Sequence, residues 1–475
     1  MESSAHQFSG NVRRQLNNEP LQQALTRIPL KFVTKRSLAI NAVGNFAELR
    51  EAGAAIRQQT LDDLAHWLCQ FETAAQARGV FVHWAEDAAQ VQQIVRDIAL
   101  SNGVQKVVKS KSMVSEECDL NTALEAAGIT VVETDLGEYV LQLAKEPPSH
   151  IIAPIVHKHK EEVATLFEQH HPREREPGWA DDIAGLCREA REVLRPHFLS
   201  ADMGISGGNF LVAETGSVAL VTNEGNGRFC TTLPRIHVAI TGIEKVVPTL
   251  EDLSTLLRLL PRSATGQGIS NYVSVLTGPK DAGASDGPEQ MHVVLLDNGR
   301  SQLHSSTLAP ILRCIRCGAC MNHCPVYQAV GGHAYGWVYP GPMGSVWTPS
   351  LIGLEHSLDL PHASTGCNQC SVACPVKIPL PDLMRELRTR QVEQQLRPWR
   401  EQLAYRLWGW LALHPRSYAL TTRIASRVLR WLGGRQGQIR RLPLGQGWTQ
   451  GRTFPAGQGR TFRELYRSRQ QGPSS

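Results

Sequence analysis

The stretch CIRCGACMNHCP (314–325) reads Cys314-x2-Cys317-x2-Cys320-x3-Cys324-Pro325. A second stretch, STGCNQCSVACPVKIP (364–379), reads Cys367-x2-Cys370-x3-Cys374-Pro375. The first has the spacing of a bacterial ferredoxin motif. Cubane irons take tetrahedral sulfur coordination, and thiolates two residues apart wrap one turn of backbone over a cluster face. Gly318 lets the chain come close. The fourth cysteine, followed by proline, points away to another cluster. A zinc reading needs four ligands per site and eight for two sites, whereas seven cysteines stand here.

Aligned from their Cys-Pro ends, the two motifs exchange ligands. Cluster one is expected on Cys314, Cys317, Cys320 and Cys374. Cluster two is expected on Cys324, Cys367 and Cys370. Ser364 stands where the second motif lacks its leading cysteine. The fourth iron of cluster two would be held by Ser364, water or a partner's group, or be absent, giving 3Fe–4S rather than 4Fe–4S. His323, beside Cys324, reads as a surface residue that tunes the site.

Outward from the cysteines, residues 301–390 are rich in Gly, Pro and aromatic residues, as in GGHAYGWVYPGPMGSVW (331–347). This predicts an α-helical, loop-rich, ferredoxin-type two-cluster domain, held by its cofactors more than by a large core. Residues 1–60 read as an N-terminal helical region, and apolar spacings of three and four continue to Gly79. From 61 to 300 short β-branched runs alternate with helical stretches: VFVHW (80–84), QKVVKS (105–110), ITVVET (129–134), HIIAPIV (150–156), NYVSVLTG (271–278) and MHVVLLD (291–297) among them. That order predicts an α/β domain with a largely parallel sheet. The turn at Glu214–Gly216 reads as a hairpin, so the sheet is expected to be mixed. Residues 391–475 form a mostly helical, Arg-rich region. From Leu396 onward there are fifteen Arg, no Lys and two acids, Glu401 and Glu464. Such a tail is a solvated face or meets an acidic surface, a phosphate-rich ligand or a membrane face. It has no helix-turn-helix or zinc-finger context, so no nucleic-acid partner is expected.

The 475 residues, 42% apolar and 20% charged, can bury a real core. No apolar run follows the charges of the first twenty residues, and no stretch reaches the ~18 apolar residues of a spanning helix. A cytoplasmic protein without a transmembrane segment is expected. Outside the cluster motifs stand Cys69, Cys118, Cys187 and Cys230, expected as small buried core residues.

No G-x-G-x-x-G follows a strand and no Walker loop is present. GISGGNF (204–210) and NEGNGR (223–228) read as tight turns. Their sharper reading is an anion loop with Asn226 and Arg228 as donors and Glu214 and Glu224 at its mouth. KSKSMVSEE (109–117) could place Lys109 and Lys111 about an anion in the same way, or be an exposed cap. No catalytic residue is assigned.

KSKSMVSEE, ETDLGEYVLQLAKEPPSHIIAPIVHKHK (133–160), GISGGNFLVAETGSVALVTNEGNGR (204–228) and LRCIRCGACMNHCPVY (312–327) together resemble the lactate-utilization protein B family. The resemblance covers nearly the whole chain. It implies an iron–sulfur electron carrier for the oxidation of L-lactate to pyruvate, with two 4Fe–4S clusters on the seven matching cysteines. It also implies a complex with two companion lactate-utilization proteins, one a second iron–sulfur protein and one a small α/β protein. The electron acceptor is not implied. Two alternatives stand beside the carrier: a catalytic subunit whose α/β domain binds lactate, with NEGNGR (223–228) as the carboxylate site, or a cluster-containing scaffold or redox sensor. The α/β domain resembles the fold of sugar-phosphate isomerases and CoA transferases, which transfers no chemistry. In that family the second motif also has three cysteines.

Overall fold

Gly79, at φ +81°, ends a helical stretch and turns the chain into the first strand of a parallel sheet. The computed structural model describes residues 3–175, 178–443, 445–449 and 451–470. The chain divides into two units between Glu393 and Gln394.

Among the described residues, ten strands belong to the larger unit: β1 (Val80–Ala85), β2 (Lys106–Lys109), β3 (Thr130–Glu133), β4 (Met203–Gly207), β5 (Phe210–Val212), β6 (Ser217–Thr222), β7 (Ile236–Gly242), β8 (Val246–Val247), β9 (Tyr272–Leu276) and β10 (Gln290–Leu296). Six form one wholly parallel sheet in the order β1-β10-β7-β4-β2-β3. β7 is buried at all seven positions, as expected for a central parallel strand covered on both faces. Met203, Ile205, Val238 and Ile240 have no exposed surface, and each such side chain contributes roughly 1.5–3 kcal/mol. The hairpin at Glu214–Gly216 lies in a second, smaller sheet, β8-β5-β6-β9, with one parallel and two antiparallel pairings. The mixed α/β class therefore holds, with the antiparallel pairing confined to this second sheet.

Three local expectations are corrected. GISGGNF is not only a turn, because Met203–Gly207 is an inner strand. A Cβ on Gly204 would stand 1.7 Å from the carbonyl oxygen of Cys230, so glycine serves close packing there. HIIAPIV is no strand. His150 Nδ1 accepts from the amides of Ile152 and Ala153, both at 3.0 Å, and Ser149 N–H reaches Pro154 O at 3.0 Å. The segment is thus a coil of tight turns around a proline that has no N–H to give. Gly341–Ile352, expected as loop, is a helix with its first nine residues buried.

The cysteine-bearing segment shares a core with the N-terminal helices. Phe8, Leu21, Leu25 and Ile28 pack with Met321, Tyr327, Tyr335 and Leu360. The smaller unit holds the helices Trp399–Leu413 and Pro415–Gly433, broken where Pro415 follows extended His414. A two-residue antiparallel ribbon (Gln438–Ile439 with Phe454–Pro455) and the helix Phe462–Gln470 follow. The final residues of the Gly/Gln/Arg tail, 471–475, lie outside the described residues. Among the described residues no helix is long and apolar enough to cross a membrane.

Candidate iron–sulfur centres and the adjoining cavity

The two cysteine motifs fold alike. Gly318 (φ 73°) and Asn368 (φ 61°) each take the left-handed conformation directly after a cysteine. Each opens a short helix, Ala319–Asn322 and Gln369–Ala373. Each motif then ends in an extended cysteine followed by proline, Cys324-Pro325 and Cys374-Pro375. Arg316, also left-handed (φ 57°), directs its amide to Cys314 Sγ at 3.4 Å. Ile378 N–H points at Cys374 Sγ at 3.3 Å.

Folding sorts the seven thiols into two groups. Cys314, Cys317, Cys320 and Cys374 line one small cavity, closed by Ile151, Met343, Val376, Ile378 and Leu380. Cys324, Cys367 and Cys370 line another, together with Ser364 and Thr365. His323 lines neither; it is half-buried and hydrogen-bonds Ala319 O at 2.9 Å. These donor sets suit iron–sulfur clusters. The thiols converge from separated segments, Gly318 leaves only 3.3 Å to Ile151 and Ile152 where a Cβ would stand, and backbone amides face sulfur.

The electrostatics of the groups differ. Burial pushes the Cys317 thiol up to about 12, and Cys374 adds to the effect. Burial and Cys314 raise Cys320 well above its ordinary value. In the second group burial and Cys324 push Cys370 up to about 12. Exposed Cys367 is instead lowered, by a hydrogen bond with Thr365 and by the Gln369 amide.

Cations crowd the first group. Lys245 Nζ donates to Cys314 O (3.3 Å), Arg36 to Ala373 O (2.8 Å), Arg50 to Cys374 O (3.0 Å) and Arg57 to Leu312 O (3.1 Å). Arg316 lies over Trp347, 3.8 Å from its ring centroid, and reaches Glu244 at 3.3 Å. Behind it, fully buried Arg300 bridges Glu244 (2.7 Å) and Glu117 (2.9 and 3.0 Å), and Tyr339 OH donates to Glu117. Burial alone would raise the Glu244 carboxyl; Arg300, Lys245 and Arg316 outweigh it and hold it at about 2. Sequence reading missed this network. One signal was available: Arg57 falls on the apolar stripe Phe46, Leu49, Gly53, Leu61 of its helix, where a solvated arginine would not stand.

A larger cavity, about 230 Å³, opens at the carboxyl ends of the parallel strands. Open α/β sheets bind ligands at that edge. Its polar lining includes Ser110, Lys111, Asp135, Asn209, Glu224 and Asn226, together with Lys245 and Arg316. The anion-loop residues are thus brought together only in part. Lys111, Glu224 and Asn226 line the cavity, but Lys109 lies beneath it, ion-paired with Glu133. Arg228 is exposed and stacked over Tyr272 at 4.6 Å, and Glu214 is exposed, accepting from Leu250 N–H at 3.0 Å. Beside Lys109, burial pushes the Glu116 carboxyl to about 7 against the pull of both lysines.

Of the other cysteines, Cys118 and Cys230 are buried as expected, but Cys69 and Cys187 are exposed. Those two lie off the buried stripes of their helices, Leu64–Gln76 and Ile183–Ser200.

The fold and cysteine geometry define a class, an α/β domain joined to a two-cluster iron–sulfur module. The LUD domain family matches residues 68–296 and the 4Fe-4S dicluster domain family matches residues 310–378. The family described as Lactate utilisation protein B, C-terminal, matches residues 386–471. The chain belongs to the lactate utilization protein B family. It is 41% identical to Lactate utilization protein B of Lysinibacillus sphaericus (strain C3-41) over 99% of both chains. It is 43% identical to that of Shouchella clausii (strain KSM-K16), covering 98% of this chain and 97% of the other. A crystal structure of a DUF162 family protein from Deinococcus radiodurans aligns with 49% of this chain and 98% of its own, at 16% identity and TM-score 0.27, too loose a likeness to argue from.

Proposed function

We propose that this chain is an electron carrier in the oxidation of L-lactate to pyruvate, working as a subunit of a complex rather than as a stand-alone enzyme. The observation that carries the proposal is the sorting of seven cysteines into two neighbouring groups in one folded unit. Cys314, Cys317, Cys320 and Cys374 would hold one 4Fe–4S cluster. Cys324, Cys367 and Cys370 would hold a second, with Ser364 or an outside group at the remaining iron, or a 3Fe–4S cluster. Clusters so held supply one-electron transfer. The relatives' shared name, Lactate utilization protein B, supports the substrate. Partners would be two companion lactate-utilization proteins, one with clusters and one a small α/β protein, in the cytoplasm.

The test is anaerobic purification of the complex with iron, acid-labile sulfide and flavin analysis, and EPR of the reduced carrier. Two reducible cluster signals and co-purifying companions are expected. A colourless, zinc-containing protein would overturn the reading.

A further inference from the structure

The cavity at the carboxyl edge of the six-stranded sheet abuts the first cysteine group, since Arg316 and Ile151 line both. Three of its basic side chains have donor capacity to spare, Lys245 among them, which burial and Arg316 bring down to about 7 and which an anion beside it would raise. Lys111 Nζ has no hydrogen-bond partner among the described residues and stands 3.6 Å from Glu138. The hydrogen bond of buried Lys245 takes one of its three N–H groups, to Cys314 O at 3.3 Å. Arg316 gives one Nη to Glu244 at 3.3 Å, while among the described residues its other Nη meets the sulfur of Met343 at 3.8 Å, a weak acceptor. Buried donors without acceptors are costly. An anion in the cavity would supply those acceptors.

The remaining walls narrow the class of anion. Met113, Val114, Ile152, Leu220, Ile240 and Leu260 give apolar surface, which suits an organic anion over an inorganic one. The volume, about 230 Å³, lies below the ~300–1,000 Å³ of drug-sized sites. That leaves room for a short acid but not a dinucleotide. The acceptors Asp135 and Glu224 stand at the same polar end as Lys111, where a ligand hydroxyl could be read.

We propose that this cavity binds a short 2-hydroxycarboxylate beside the first cluster site, its carboxylate held by Lys245 and Arg316 and its hydroxyl read at Lys111, Asp135 and Glu224. The choice of L-lactate as probe rests on the carrier reading; the existence of the site rests on the cavity and its unfilled donors.

The experiment is calorimetric titration of the full, cluster-loaded protein with L-lactate, propionate (which lacks the hydroxyl) and inorganic phosphate, with EPR of both clusters during titration. L-Lactate should bind saturably and more tightly than propionate, with phosphate not binding, and should perturb one cluster signal only. Lys245→Gln should weaken both carboxylates at least tenfold. Lys111→Gln should weaken L-lactate several-fold and leave propionate unchanged; it also serves as the test should Lys245→Gln fail to fold. No saturable L-lactate binding up to ~10 mM, well beyond a ~1 mM site, would overturn the proposal. So would phosphate competing equally, or Lys111→Gln weakening both acids alike. Two intact, reducible clusters without lactate binding would sink this site and leave the carrier reading standing. Binding to a protein without clusters would do the reverse.

Discussion

The two cysteine groups are built from one motif, yet they sit in opposite surroundings. The first is closed by aliphatic side chains and ringed by Arg316 of its own motif and by Arg36, Arg50, Arg57 and Lys245, drawn from helical segments far away in the chain. The second is lined by Pro, Ala, Met, Ser, Thr and Asn beside its cysteines, and Cys367 is exposed. Net charge, hydrogen bonds to sulfur and exposure set cluster potentials. The difference therefore suggests an inner site, where added negative charge is stabilised, and an outer one that a partner can reach. Covalent pattern alone cannot make that distinction; the environment does.

The most drastic way to break the comparison is to remove a ligand from each side. We predict that Cys320→Ala abolishes the inner cluster and about halves the iron content. It should also lower the unfolding midpoint, because the fold closes over that site. Cys367→Ala should abolish only the outer signal and leave the midpoint nearly unchanged. Iron analysis, EPR and thermal unfolding read all three. Equal losses of stability would show that the two sites are not inner and outer.

Next in size is Arg300→Met. It leaves Glu117 and Glu244 as buried carboxylates without their shared cation, a defect of roughly 3–5 kcal/mol. Denaturant unfolding should report it. The EPR signal of the inner cluster should broaden or shift through Glu244 and Arg316, while the outer signal stays. A loss within ~0.5 kcal/mol, the usual range for surface changes, would mean that the network is not what holds the inner side together.

How far these features could be read from sequence depends on how local their causes are. The cysteine offsets are set by one turn of backbone over a cluster, so spacing alone anticipated both groups. Strands β1, β2, β3 and β10 were legible because each is a short apolar, β-branched run; β2, β3 and β10 are buried at all but their first position, while Phe81 and Trp84 of β1 are exposed. Gly204 misled because glycine signals a turn locally, whereas here it admits a neighbouring carbonyl. HIIAPIV misled because it folds into tight turns that set Ile151 against the first cysteine group instead of joining a sheet. The cation ring was invisible because Arg36, Lys245 and Arg316 meet only in three dimensions. In the cavity, Lys111, Glu224 and Asn226 were named in advance, but Arg228 was placed wrongly, since stacking on Tyr272 turns it outward.

A smaller change would erase the asymmetry in ligands. Ser364 lines the outer group at the position that Cys314 holds in the first motif, and its hydroxyl accepts from Gly366 N–H at 3.2 Å. We predict that Ser364→Cys completes a four-thiolate set, changes the outer EPR signal alone, and lowers its potential by adding a negative ligand. An unchanged outer signal would show that position 364 does not reach the cluster.

The smallest expected effect is of pH, and it should fall on the inner side. The segment that covers the inner site carries His150 and His157, each lowered by burial to about 4. Below pH ~6.5 the unfolded segment takes up protons that these folded imidazoles refuse. Their contribution is thus complete above pH ~6.5 and is lost as pH falls toward 4. Amide exchange, corrected for its intrinsic pH dependence, should show residues 149–157 losing protection between pH 7 and 5. Residues 363–371, about the outer site, carry no histidine and should hold theirs. Equal loss in both segments would place the acid response in the fold at large and not in the cover of the inner site.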